Sequence, residues 1–357
     1  MQTLGSLAAG RNNNLNLIRA IAAIAVLVSH GWPMVLGPDA AEPLQRVLGY
    51  NLGTLSVFVF FAISGFLISS SFTRSDTLQQ FIRARIARLF PGLIVSLLLV
   101  ALVMGPLVST WALSDYFGTM DVWRFLASNL LLVVPQYTLP GVFEANPYPT
   151  VEGSIWSLAH EVGWYGVVFV LGIGGALQRR WGMAGLSLLL AVLWLVTQTG
   201  LVAVHPKIAV FIEVGLPFMA GMVLFAWRDR VVLSGRVALG LAIAASLVVI
   251  TPLALPLLIA ALAYGTFYLA YVPGGWLRQY NRVGDFSYGI YIYAFPVQGL
   301  VMWMFHPATV AAHIALALPP TIVLAMLSWV LVERPALHWL RARPARLPRG
   351  QGQRIHP

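Results

Sequence analysis

Apolar runs long enough to cross a bilayer recur from one end of this chain to the other, and they leave room for little besides a bundle of membrane helices. About 20 predominantly apolar residues in helical form span the roughly 30 Å hydrocarbon core, where every backbone polar group must be satisfied internally. Ten runs are legible, at 14-36, 52-73, 90-109, 154-177, 182-203, 208-227, 236-252, 254-271, 286-305 and 315-333. With 59% apolar residues, 10% charged residues and a mean hydropathy of +0.80, the chain carries more apolar surface than a water-soluble fold can hide. The expected fold is all-α: a polytopic helical bundle forming one transmembrane domain over 1-340. A basic tail over 341-357, rich in Pro, Gly and Arg, suits anionic lipid headgroups and has no means of folding alone. The first run contains Arg19, exceeds the apolar stretch of a signal peptide and lacks a small-residue cleavage site, so it is expected to remain as a span.

Charge settles how the spans alternate. The segment 123-135 is apolar but short, and if it crossed, every later loop would change sides. Kept on one side, it leaves Arg11, Arg74, Arg83, Arg85, Arg88, Arg179, Arg180, Arg228, Arg230, Arg236, Arg278, Arg282 and the tail on a common face, as the positive-inside rule requires. Both termini are then cytoplasmic and the segment 110-153 lies outside. The net charge of +10 follows from these loops without nucleic acid as a partner. Cysteine is absent, which removes disulfides and thiol nucleophiles. No metal-ligand cluster, phosphate-binding glycine loop or internal repeat stands out.

Within the apolar runs a few ionisable residues are costly and therefore informative. Arg19 and His30 share the first span, about 16 Å apart along the axis, the arginine nearer the inner end and the histidine nearer the outer. Ser64 and Gly65 lie mid-span in FFAISGFLI, a small pair that fits close helix packing as well as a substrate contact. In FIRARIARLFPG, Arg85 and Arg88 fall on one face of a helix, and a guanidinium pair suits phosphate oxygens as well as topology. Glu161, in GSIWSLAHEVGWY, enters from the outer side and could meet His30 at similar depth; His160 points elsewhere and reads as an interface residue. Ser287, Tyr288 and Tyr291 open a late span. The segment 110-153 gathers Asp115, Asp121, Glu144 and Glu152 with Trp111, Tyr116, Trp123, Tyr137, Phe143 and Tyr148. Rings beside carboxylates suit a sugar, and equally an aromatic belt at the membrane surface.

The segments LNLIRAIAAIAVLVSH, FFAISGFLI, RARIARLFP, GSIWSLAHE, FSYGIYIYAFPV and VERP occur in the order found in the membrane acyltransferase 3 family, which the chain resembles over nearly its whole length. That resemblance implies an integral membrane O-acyltransferase moving an acetyl or related group from cytosolic acyl-CoA to a hydroxyl of a cell-surface glycan or lipid-linked sugar. It implies acyl-CoA, most simply acetyl-CoA, as co-substrate, no permanently bound cofactor or metal, and residence in the cell's inner membrane. Carried over residue by residue, it points to His30, Glu161 and Arg19 for catalysis and to Arg85, Arg88, Ser64 and Gly65 for the donor. The chain departs from many relatives in having Asn16, Leu17 and Ser29 around the Arg19–His30 stretch and Ala294 where a late histidine is common. His30 is then the expected general base, since neutral imidazole titrates near pH 7. Glu161 is expected to orient it, and Arg85 with Arg88 to grip the CoA phosphates. The alternative class is a multispan transporter of a lipid-linked sugar or organic anion, which also places Arg, His and Glu inside a bilayer.

Overall fold

The computed structural model describes residues 2–342 apart from Arg11, Leu201, Val249, Ile250 and Pro252, with no side-chain detail for 340–342. The tail beyond Ala342 and the expected inner position of Arg11 lie outside the described residues. We number the principal helices α1 (Leu15–Leu36), α2 (Leu52–Arg74), α3 (Leu78–Leu99), α4 (Met120–Leu131), α5 (Ile155–Ile173), α6 (Arg180–Gln198), α7 (Pro206–Ala226), α8 (Gly235–Leu247), α9 (Ala254–Tyr271), α10 (Ser287–Phe305), α11 (Val310–Ser328) and α12 (Arg334–Ala342). Among the described residues nine helices are long and apolar enough to cross a membrane.

Two runs differ from expectation. The segment expected as a span at 236-252 is helical over 13 residues, Gly235–Leu247, about 20 Å and short of a full crossing. It packs against α9 as a hairpin that brings the chain back to its starting end. The third span begins at Leu78 rather than near 90, so the basic stretch expected as a loop is the first three turns of α3. Thr77 caps it, its hydroxyl accepting from the backbone N–H of Gln80. Further along, the helix widens into a π turn at Val100–Met104 before Pro106, which has no N–H to offer.

Hydrogen bonds between chain-distant segments fix which helix ends lie together. At one end, Leu4 N–H donates to Val231 O, Asn14 N–H to Ala270 O, and the Trp227 indole to Arg180 O. At the other, Glu42 accepts from both Ser29 Oγ and Leu52 N, and Asn146 Nδ2 donates to Gly299 O. The segment 110–153 stays at this second end throughout. Tyr116 Oη donates to Ala101 O, Tyr137 O accepts from Val151 N, and α4 is a 12-residue helix that returns instead of crossing. The alternation deduced from charge therefore agrees with the fold, and the arginine-rich loops share the N-terminal end.

Helix α2 is the centre of the bundle, packed against α1, α5, α7 and α9. Its closest neighbour is α7, and glycines make that approach possible. A Cβ on Gly65 would fall 2.0 Å from Phe218 O, and one on Gly221 would fall 2.0 Å from Ala62 O. Small residues bring membrane helices into backbone contact because lipid offers no hydrophobic drive for association.

Candidate active site

A cavity of about 1430 Å³ enters the bundle from the arginine-rich end, between α1, α2, α3, α5 and α10. Its mouth, where α2 hands over to α3, carries Arg74, Thr77, Gln80 and Arg83; deeper walls carry Arg19, Ser64, Arg85, Arg88, Glu161 and Tyr291. Five of the seven residues singled out in the sequence thus share one space.

One carboxylate organises the arginines. Asp285 Oδ2 accepts from Arg19 Nη1 at 2.6 Å and from Arg88 Nη2 at 2.7 Å, while Ser287 Oγ donates to Oδ1 at 2.6 Å. Burial alone would push this carboxyl up, but the two guanidinium groups and the Ser287 bonds outweigh it and hold the pKa down to about 2. Arg88 has a second carboxylate, Glu333 Oε2 at 3.4 Å, and lies over the Tyr288 ring. Arg88 is therefore engaged on both sides. Arg85 is not: its Nη2 reaches Ser71 Oγ at 3.4 Å, and its Nε is buried without a partner. The two arginines expected to act as a pair are different in kind.

Glu161 lies where α5 crosses α2. Its Oε1 accepts from Ser64 Oγ at 2.6 Å and from Tyr165 Oη at 2.7 Å. Next to it, Ser157 Oγ and Tyr291 Oη share a hydrogen bond of 2.6 Å, and Tyr291 also donates to Ser154 O. The expected pairing of Glu161 with His30 is not formed. His30 does not line the cavity; its ring meets the Phe295 ring edge-on at 5.0 Å, and its Nδ1 is buried without a hydrogen-bond partner. Depth along the axis was similar, but the two helices turn these side chains toward different neighbours. Phe295 follows Tyr291 by one helical turn, so the imidazole stands just outward of the cavity's end.

Gly65 faces α7 rather than the cavity, which is the packing alternative for the Ser64–Gly65 pair. His160 keeps its Nδ1 on Trp156 O and packs against Phe211, an interface position. In the outer segment Tyr116, Phe143 and Glu152 are core residues, and burial pushes the Glu152 carboxyl well up. Trp111, Trp123, Tyr137, Asp115, Asp121 and Glu144 remain exposed there. Asp285 and Glu333 carry no signal in helical periodicity, although Glu333 stands inside VERP and Asp285 directly precedes FSYGIYIYAFPV. With only 12 acidic residues in the chain, a carboxylate at the arginine-rich end of a span was the available signal.

Comparison with known proteins agrees with the architecture. A family model described as an acyltransferase domain matches residues 12–332. The chain belongs to the membrane acyltransferase 3 family. It is 27% identical over 341 residues to an O-acetyl transferase of Shigella phage Sf6, covering 91% of this chain and 96% of the phage protein. It is 28% identical over 368 residues to Nodulation protein 10 of Rhizobium leguminosarum bv. viciae, covering 92% and 94%. A shorter match, 28% over 152 residues, joins 43% of the chain to 37% of Acyltransferase MdmB of Streptomyces mycarofaciens. No solved structure matches at a significant level. The protein is thus a multi-pass membrane O-acyltransferase.

Proposed function

We propose that this acyltransferase moves an acetyl group from acetyl-CoA to a hydroxyl of a carbohydrate destined for the surface of the cell. The observation that carries the reading is a single cavity joining an arginine-lined mouth to a bed of hydroxyls and a carboxylate. The mouth suits a polyphosphate. Arg85, with a buried unpartnered Nε, is the phosphate contact, supported by Arg74 and Arg83. Arg88 and Arg19, held by Asp285, position the walls along which the thioester arm runs. Glu161 serves the acceptor: anchored by Ser64 and Tyr165, its carboxylate accepts a sugar hydroxyl, with Phe60 and Tyr291 offering ring faces nearby. The name of the phage relative supports acetyl as the group transferred.

His30, one turn outward of the cavity's end and against Phe295, is the general base in this reading. Its imidazole takes the acceptor hydroxyl's proton as the oxygen attacks the thioester carbonyl. The C–O bond forms, the C–S bond breaks, and the proton passes to the departing CoA thiolate, which restores neutral imidazole. The purified protein in lipid nanodiscs is expected to release CoA thiol from acetyl-CoA when acceptor is supplied. His30→Ala and His30→Gln should abolish release while unfolding at the same temperature as the wild type, since neither alanine nor an amide accepts the proton. Wild-type-like release by either variant would remove His30 from this role, and a wild type that leaves acetyl-CoA intact would remove the donor assignment.

A further inference from the structure

Glu161 is engaged by Ser64 and Tyr165, which leaves His30 in need of another group to orient it. The interface of α1 with α10 supplies a candidate. Gln298 is fully buried there, and its Nε2 donates to Leu27 O at 2.9 Å. That bond fixes which way the amide faces, because a carbonyl oxygen accepts only from the NH2 group. The remaining amide atom, Oε1, is buried without a hydrogen-bond partner, and so is His30 Nδ1.

The two unpartnered atoms border one patch of that interface. Leu27, which holds Gln298, lies three residues before His30 on α1. Phe295, whose ring meets the His30 ring at 5.0 Å, lies three residues before Gln298 on α10. Three residues are about one helical turn, so the imidazole and the amide occupy adjacent turns of two helices in contact. Each buried atom left unbonded carries a desolvation penalty, and a turn of the imidazole toward the amide removes both. Catalytic hydrogen bonds commonly close only once substrate is in place. The chemistry fits in one sense alone: an amide oxygen accepts and never donates, so Nδ1 must carry the proton and Nε2 the free lone pair. Glu152 Oε2 is a further buried acceptor without a partner, next to Gly153, which abuts the Phe295 ring. Among the described residues, however, no hydrogen bond ties Glu152 to α1, whereas Gln298 is bonded to it directly.

We propose that Gln298 is the positioning residue of His30: in the reacting complex its Oε1 accepts from Nδ1–H, directly or through one water, which fixes the tautomer and frees Nε2 for the acceptor hydroxyl. The proposal rests on the reading of His30 as general base and goes beyond it. The hydroxyl's proton passes to Nε2, the imidazolium stays bonded to Gln298 through Nδ1–H, and Nε2 then gives the proton to the CoA thiolate. The amide is unchanged over a turnover.

The test uses the full-length protein in nanodiscs. Gln298→Leu, similar in volume, removes the acceptor and should lower kcat per acetyl-CoA-binding site at least about tenfold, with the KM for acetyl-CoA unchanged. Gln298→Glu keeps an acceptor in the same place and should restore most of kcat. Were Gln298 only a staple between α10 and Leu27, Gln298→Leu would lower the unfolding temperature and leave kcat per binding site at the wild-type value, which would overturn the proposal. A second readout needs no turnover. In solid-state NMR of protein carrying nitrogen-labelled histidine, with a thioether analogue of acetyl-CoA bound, the resonances absent from His30→Ala should show Nδ1 protonated and Nε2 bare. That single tautomer should be lost in Gln298→Leu. The opposite tautomer in the wild type would overturn the proposal even if Gln298→Leu fails to fold, and a loss of kcat in Glu152→Leu with none in Gln298→Leu would hand the role to Glu152. Wild-type-like release by His30→Ala sinks the general-base reading, whereas an inactive His30→Ala beside a fully active Gln298→Leu sinks the positioning role alone.

Discussion

Arg85 and Arg88 sit three residues apart on one face of α3, yet they meet unlike surroundings, and that difference is measurable. Arg88 is shared by Asp285 and Glu333, so its removal leaves two carboxylates short of a counter-charge. Arg88→Gln should therefore lower thermal stability in detergent, by up to about 3 kcal/mol for loss of a largely buried partner. Arg85→Gln should leave stability close to wild type and raise the apparent KM for acetyl-CoA. Arg85→Lys should rescue only in part, because an ammonium lacks the two-pronged contact with phosphate. Steady-state kinetics and thermal unfolding of the three variants separate the roles; equal KM effects from both glutamine variants would show that the pair acts as one phosphate clamp. Asp285 keeps its charge over the whole working range. Its pKa is depressed to about 2, so the stability it contributes is present above its unfolded value of about 3.9 and disappears only as pH falls through about 2.

At the scale of the element, α2 and α7 touch backbone to backbone through Gly65 and Gly221, and this contact seats Ser64 against Glu161. Gly65→Leu is expected to prise the helices apart at a cost of about 1–3 kcal/mol, read as a lower unfolding temperature in detergent with a parallel loss of activity. An unchanged unfolding temperature would mean that α7 moves aside freely. Hydropathy located most helices well, as with the run at 254-271, which is α9 from Ala254 to Tyr271. It failed where charge enters a helix. Arg83, Arg85 and Arg88 cut the apolar run at 90, whereas their helix starts at Leu78 because the arginines face a polar cavity supplied by other elements. The candidate site was legible in its members and not in its pairings. Spacing gives depth along a span but not the direction a side chain faces, so Glu161 was matched with His30 when its partners are Ser64 and Tyr165. The Arg19–Asp285 bond joins positions 266 apart, a separation on which helical periodicity is silent.

For the molecule as a whole, the alternation of spans decides what faces each side of the membrane. The chain has no cysteine, so single cysteines at Thr119, Ala145 and Gln178 can be labelled without background. A membrane-impermeant thiol reagent added to intact cells should modify the first two and spare the third. Labelling of Gln178→Cys with protection of Ala145→Cys would mean that the 123-135 region crosses, contrary to the return of the chain through Tyr137 and Val151.

Asp285 also has a bearing on how the protein is made. A nascent chain delivers α1, with Arg19 in it, well before the carboxylate that neutralises it, which follows 266 residues later. Asn14, at the start of α1, waits almost as long for its acceptors on Leu269 and Pro273. Until then the cheapest place for the guanidinium is the headgroup layer at the inner end of α1, with its stem stretched along the helix. Docking of α10 draws it inward. Helix α1 thus completes its burial only once the stretch around Asp285 has been made, and a chain cut short before Asp285 would keep an arginine without its carboxylate partner.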